Sequence, residues 1–238
     1  MPQNNIQLLS TRMLDNTLVK RAAANLLDIE CVSFIDNKPL HSEAMQTRIQ
    51  ALANETITAV FTSQNAVNAI AAQLSQMPQW TVFCTGGVTK EYAIKYFGER
   101  AIAATAKNAT NLAEKLVAAN PANPIIFFCG DQRLNDLPEI LQSHGKTAEE
   151  IIVYTTEQTP VFMEKNYEGV LFFSPSAVHS FFSLNTVPTS VVLFAIGHTT
   201  AATIHSYCTN KVVVSQWPGA ESMIDLLIEY YEEQAARV

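Results

Sequence analysis

The feature that most narrows the fold is a repeat inside the chain. Ala59 to Val67 (AVFTSQNAV) aligns with Val170 to Val178 (VLFFSPSAV) at an offset of 111 residues. Without a gap, the same offset pairs Phe83 with Phe194, Gly86 with Gly197, Thr89 with Thr200 and Ala109 with Ala220. Self-similarity over such a span reports a duplicated architecture before any single motif does. Grammar common to all strand-to-helix units, without duplication, is the competing explanation.

Short runs rich in Val, Ile and Phe recur along the chain, the signature of buried parallel strands. They lie at Ile6 to Ser10, Glu30 to Phe34, Ile57 to Thr62, Thr81 to Cys84, Ala101 to Ala104, Ile125 to Cys129, Glu150 to Tyr154, Gly169 to Phe173, Val191 to Ala195 and Lys211 to Val214. Helical spacing fills intervals such as Glu91 to Phe97, Asn111 to Ala119 and Ala220 to Tyr231. The predicted class is α/β, with two similar parallel-sheet domains of flavodoxin-like or Rossmann-like form.

The first copy runs on through Ile125 to Cys129, a helix around Leu137 to Ser143, and Glu150 to Tyr154, whereas the second stops at Val238. A matching strand, helix and strand stand at the other end of the chain, at Ile6 to Ser10, Thr17 to Leu27 and Glu30 to Phe34. The expected domains are therefore a discontinuous one, 1–35 plus 160–238, and an inserted one, 41–153, with 36–40 and 154–159 as a two-strand linker. A double crossing of this kind permits hinge closure over a cleft.

Charge, hydropathy and ligand spacing argue against several partners. Fifteen Lys and Arg against 22 Asp and Glu give a net charge of −7, which leaves no basic surplus for a phosphate backbone, so no nucleic acid is expected. No apolar run approaches the roughly 20 residues that span a bilayer, and Met1 to Ser10 lacks a leader pattern, so the expected setting is cytoplasmic, without a membrane partner. Cys31, Cys84, Cys129 and Cys208 are scattered and read as buried thiols of a reducing compartment. His198 and His205 can share a helix face, but no Cys or carboxylate completes a ligand set, and no metal is expected.

In open parallel sheets, ligands bind beyond the carboxyl ends of the strands, where helix starts present unpaired N–H groups. Those ends carry small polar residues and glycine: Ser10, Thr11 and Arg12; Thr62 to Asn65; Thr85 to Thr89; Gly130 and Asp131; Ser174 to Ser176; Gly197 to Thr200. Each alone reads as an ordinary cap or turn sooner than as a ligand. Six together point to an anion site spread over both domains. Neither the dinucleotide nor the phosphate-loop glycine motif is present. Tyr154 ends its strand where Phe34 ends the other copy, so the copies differ there chiefly by a hydroxyl, which could give a proton to a leaving group or simply face solvent.

One further stretch, Gly130 to Gly145 (GDQRLNDLPEILQSHG) followed by Ile151 to Tyr154, resembles the characteristic segment of uroporphyrinogen-III synthases. Val60 to Ser63, Phe172 to Ser176 and Ile196 to Thr200 fit the same family in the same order. The resemblance implies a cofactor-free, metal-free lyase that cyclises hydroxymethylbilane to uroporphyrinogen III, with loss of water and inversion of ring D. It implies Tyr154 as the acid and Thr62, Ser63, Gly86, Thr89, Ser174, Ser176, Gly197, Thr199 and Thr200 as substrate-binding positions, with Arg12 the one cation placed to add to them. It further implies a monomer in transient contact with hydroxymethylbilane synthase. Two other readings stand beside it: a non-catalytic hinged module that closes on a small anionic metabolite, and a degenerate relative kept as a partner of the preceding deaminase.

Overall fold

The structure, a computed structural model, describes residues 5–236. Readings that touch residues 1–4, including the start of the expected 1–35 segment and of the Met1 to Ser10 stretch, and residues 237–238 lie outside it. The chain forms two compact units: residues up to Asp36 with those from Glu157 onward, and Asn37–Thr156.

The first unit opens with β1 (Ile6–Ser10), α1 (Asn16–Ala23) and β2 (Leu27–Cys31), after which β3 (Ile35–Pro39) crosses into the second. There follow α2 (Glu43–Ala53), β4 (Thr58–Phe61), α3 (Gln64–Ala71), β5 (Thr81–Thr85), α4 (Val88–Phe97) and β6 (Ile102–Ala106). Next come α5 (Ala109–Ala119), β7 (Ile125–Gly130), α6 (Asp136–Ser143) and the long β8 (Ala148–Gln158), which crosses back. The first unit then finishes with β9 (Gly169–Phe172), α7 (Pro175–Phe182), β10 (Val192–Ala195), α8 (His198–His205), β11 (Val212–Val214) and α9 (Ala220–Ala235).

Strand order is β11-β10-β9-β1-β2 in the first unit and β3-β8-β7-β4-β5-β6 in the second. The first is the flavodoxin order; the second carries the same neighbours with the chain cut at a different place. The pairs assigned among β1, β2 and β9 to β11, and among β4 to β8, are all parallel. Bonds from Thr159 N to Phe34 O and from Leu40 N to Val153 O run in opposite senses along β3 and β8, so the two crossing segments pair antiparallel.

Helices on both faces leave central strands no solvent side, and β4, β7 and β9 are buried at every position. In the second unit Phe61 stacks on Phe128 and Phe97, with Trp80 against Phe128. In the first, Phe172 and Phe34 pack edge-on against Phe181. Each such ring contributes about 1.5 to 3 kcal/mol of burial.

Two boundaries differ from the sequence reading. The helix expected over Thr17 to Leu27 stops at Ala23, Leu26 takes a positive φ of 61°, and the strand expected at Glu30 to Phe34 is β2, three residues earlier. Alternation decides it: Leu27 and Ile29 are buried while Asp28 and Glu30 face out. Phe34 therefore lies beyond its strand, fully buried, and is not a strand-end counterpart of Tyr154. The strand expected to end at Tyr154 runs on through Gln158 as it pairs with β3, so Tyr154 lies inside β8 and not at its end. Among the cysteines, Cys84 and Cys129 are buried, whereas Cys31 and Cys208 are half-buried.

Candidate active site

Each sheet has one place where successive connections leave in opposite directions, between β4 and β7 in the second unit and between β1 and β9 in the first. Loops diverge there and open a crevice at the carboxyl edge. The sequence-predicted residues Thr62, Ser63 and Tyr154 gather around the first crevice, and Arg12 and Ser174 around the second.

In the second unit, Ser63 caps α3, its Oγ accepting from Asn65 N at 3.1 Å. A hydroxyl that accepts at a cap still has its proton to donate. Tyr154 comes from β8, two strands away. The register between β7 and β8 runs Cys129 to Ile152 and then Gly130 to Tyr154, so Val153 forms a bulge. Bulges re-aim side chains. The ring crosses the end of β7, with Ser63 and Asn65 within hydrogen-bonding reach of its hydroxyl. Burial raises the phenol above its ordinary pKa; Ser63 pulls it back, Cys129 and Asp131 add to the rise, and Asn65 opposes it. The outcome is a neutral phenol, a donor across the physiological range.

In the first unit the equivalent crevice is spanned by Arg12, whose guanidinium lies over the Phe173 ring at 5.0 Å. No carboxylate pairs with it among the described residues, while Arg21, Arg48 and Arg133 all have acidic partners. Arg12 is exposed by surface area, yet crowding of its guanidinium lowers its pKa from an ordinary value so high that it stays charged. Ser10 and Thr11, by contrast, serve the fold: Ser10 donates to Arg12 O at 2.7 Å and Thr11 to Leu171 O at 2.8 Å. Ser174 caps α7 through Ala177 N at 3.2 Å, and Ser176 is half-buried on the first turn.

The remaining predicted positions belong to two helix starts of a different kind. Neither α4, which begins after Gly87, nor α8, which begins after Gly197, has a side-chain cap. Their first N–H groups are thus left for another acceptor. Gly87 holds φ at 63°, a value other residues rarely take, whereas Gly197 is extended. Gly86 is exposed and tied to the edge by its N–H to Ala106 O at 2.8 Å. Thr199 is exposed beside His198, which opens α8 as an ordinary first-turn residue. Thr89 and Thr200 are buried residues, but neither hydroxyl is among the enclosed atoms that lack a partner.

Sequence reasoning placed Asn65 and Gly130 in strand-end loops without seeing that both meet the Tyr154 ring, and it missed Phe173 as the partner of Arg12. These relations carry no local signal, since Tyr154 and Arg12 arrive from distant strands. A depression on α2 is lined by Glu43, Ala44, Thr47, Arg48 and Ala51, none of which belongs to a strand-end loop.

The family model described as Uroporphyrinogen-III synthase HemD matches residues 17–225. Among solved structures, the chain is similar to a uroporphyrinogen-III synthetase from Helicobacter pylori, with a TM-score of 0.68, 14% identity and coverage of 94% of this chain and 99% of that one. It is also similar to a mutant uroporphyrinogen III synthase from the extremely thermophilic bacterium Thermus thermophilus, with a TM-score of 0.64, 12% identity and coverage of 97% and 99%. Identities this low carry the fold alone. No curated protein sequence matches the chain. The family match, which spans both units and every loop described above except that of Arg12, shows that the chain belongs to the uroporphyrinogen-III synthase family.

Proposed function

We propose that this enzyme closes hydroxymethylbilane into uroporphyrinogen III with Tyr154 as general acid. Membership of the synthase family carries the cyclisation itself and its place in tetrapyrrole biosynthesis. The observation that supports the acid is the neutral, partly buried phenol beside Ser63. Tyr154 protonates the departing hydroxyl of the ring-A hydroxymethyl group, the C–O bond breaks and water leaves. The resulting azafulvene is attacked by the substituted carbon of ring D to give a spiro intermediate. That intermediate reopens and closes in the other sense, and the proton lost from the closing pyrrole carbon balances the one that Tyr154 gave. A positioned acid is worth about 10² to 10⁴ in rate. The linear substrate also cyclises unaided without inversion, so orientation supplies the remaining advantage.

The substrate bears eight carboxylates and the protein a net charge of −7, so long-range steering opposes binding, weakly at physiological salt. Neutral donors answer this locally. The uncapped starts of α4 and α8, with Thr89, Gly197, Thr199 and Thr200, donate to carboxylates through N–H and hydroxyl groups, while Gly86, its own N–H held by Ala106 O, leaves room for a carboxylate to approach the start of α4. Thr62, Ser63, Ser174 and Ser176 add hydroxyls, and Arg12 adds a charge that no carboxylate neutralises among the described residues.

Among the described residues no helix is long and apolar enough to cross a membrane. We read the enzyme as a cytoplasmic monomer that meets hydroxymethylbilane synthase only transiently, a reading that light scattering and co-purification test. Turnover is tested by incubation with freshly generated hydroxymethylbilane and resolution of isomers I and III. Isomer III is expected. Isomer I alone, at the unaided rate, overturns the reading in favour of a binding module for a small anionic metabolite.

A further inference from the structure

We propose that Gly130 is a positioning residue for the reaction, whose missing side chain gives the Tyr154 ring its path across the end of β7. The proposal rests on the reading of Tyr154 as the acid. A Cβ built on Gly130 would meet Tyr154 Cζ at 2.4 Å, Cε2 at 2.6 Å and Oη at 2.7 Å. Ordinary carbon contacts begin near about 3.5 Å. All three atoms belong to the hydroxyl end of the ring, so the phenol occupies the volume that any other residue at 130 would fill.

Space, not backbone conformation, is what demands glycine here. The glycines with positive φ are Gly87, Gly98, Gly145 and Gly219, and Gly130 is not among them. Alanine can adopt its backbone as readily. The strands cannot separate to relieve the overlap, because β8 is held on the far side of the ring. Asp131 N donates to Tyr154 O at 3.2 Å, Asp131 Oδ1 accepts from Thr156 N at 2.9 Å, and Gln132 Nε2 donates to Thr156 O at 3.1 Å. With the backbone pinned on one side and the Val153 bulge on the other, the ring itself must swing away when a methyl group arrives. Its hydroxyl then leaves Ser63 and Asn65, the groups that hold it over the crevice between β4 and β7.

The test uses Gly130→Ala in the full chain carrying tyrosine labelled with carbon-13 at Cζ, the Tyr154 resonance being assigned by its loss in Tyr154→Phe. In the wild type this resonance is expected to titrate above ordinary tyrosine; in Gly130→Ala it is expected to shift and to titrate closer to the ordinary value. Turnover is expected to fall by about the same factor as in Tyr154→Phe. Product affinity should stay within about twofold, and adding Gly130→Ala to Tyr154→Phe should lower turnover by less than about twofold more. An unchanged resonance and titration in Gly130→Ala overturns the proposal. Full turnover by Tyr154→Phe together with a displaced resonance in Gly130→Ala refutes the acid while leaving the ring's placement standing. Should Gly130→Ala lose stability, the Tyr154→Ala background decides the cause. Restored stability there identifies the ring as what the methyl group meets; equal loss in both backgrounds overturns the proposal.

Discussion

Ser174 allows the two roles of a strand-end hydroxyl to be separated. Its Oγ accepts from Ala177 N at 3.2 Å and so caps α7, while its proton is free to meet a substrate carboxylate. Replacement by alanine removes both functions. Stability should fall by about 1 kcal/mol, the usual loss for an N-cap. Ser174→Asp is more informative, because aspartate caps as well as serine and its charge suits a helix start. Stability should therefore stay within about 0.5 kcal/mol of wild type. Binding should not. A new carboxylate about 5 Å from a substrate carboxylate, at an effective dielectric between about 20 and 80, adds about 1 to 3 kcal/mol of repulsion, or roughly a 4- to 150-fold loss of affinity. Ser174→Asn keeps the cap without the charge and isolates the missing hydroxyl, worth about 1 kcal/mol. Urea midpoints report the cap, and fluorescence titration with product reports the ligand. If Ser174→Asp binds product as tightly as the wild type, the hydroxyl is a cap and nothing more, and the neutral-donor account of this edge fails.

Tyr154→Phe should lower formation of isomer III by about 10- to 10³-fold, the lower end applying if water substitutes as acid. Because the phenol is the active form and its pKa is raised, the rate should persist to alkaline pH and fall only as pH rises above the ordinary tyrosine range, a limb that a pH profile of Tyr154→Phe should lack. Thr89→Val and Thr200→Val should each weaken product binding by about 1 kcal/mol in the same titration, and no change in either would favour a packing role. Arg12→Met keeps an apolar stem over Phe173 but removes the charge, so product affinity should fall and its dependence on salt should flatten. Burial pushes Cys84 and Cys129 from about 9 up to about 11. A raised folded-state pKa contributes stability below the unfolded value that is lost as pH rises through the folded one, so urea midpoints should drop between about pH 9 and 11, and by less in Cys84→Ala and Cys129→Ala.

Much of the architecture was legible one residue at a time. Runs such as Ile125 to Cys129 and Gly169 to Phe173 read as buried strands because helices cover both faces and leave no reason for polar alternation. Legibility failed where a segment serves two elements. In Glu30 to Phe34 the apolar residues Val32 and Phe34 mimic a strand, although they follow β2 and Phe34 folds into the core against Phe181. The Val153 bulge was invisible for the same kind of reason, since a bulge exists only relative to the partner strand.

Local physics, carried by the sequence alone, determined the α/β class, the caps at Ser63 and Ser174, the small residues at the strand ends and the acidic balance of the chain. Each follows from a residue and its immediate neighbours. Only the tertiary structure decided that Tyr154 crosses β7 to reach Ser63, that Gly130 must stand aside for it, and that Arg12 lies over an aromatic ring with no acidic partner among the described residues. Those relations join residues dozens to more than 150 positions apart, and chain distance holds no record of which strands become neighbours in a sheet.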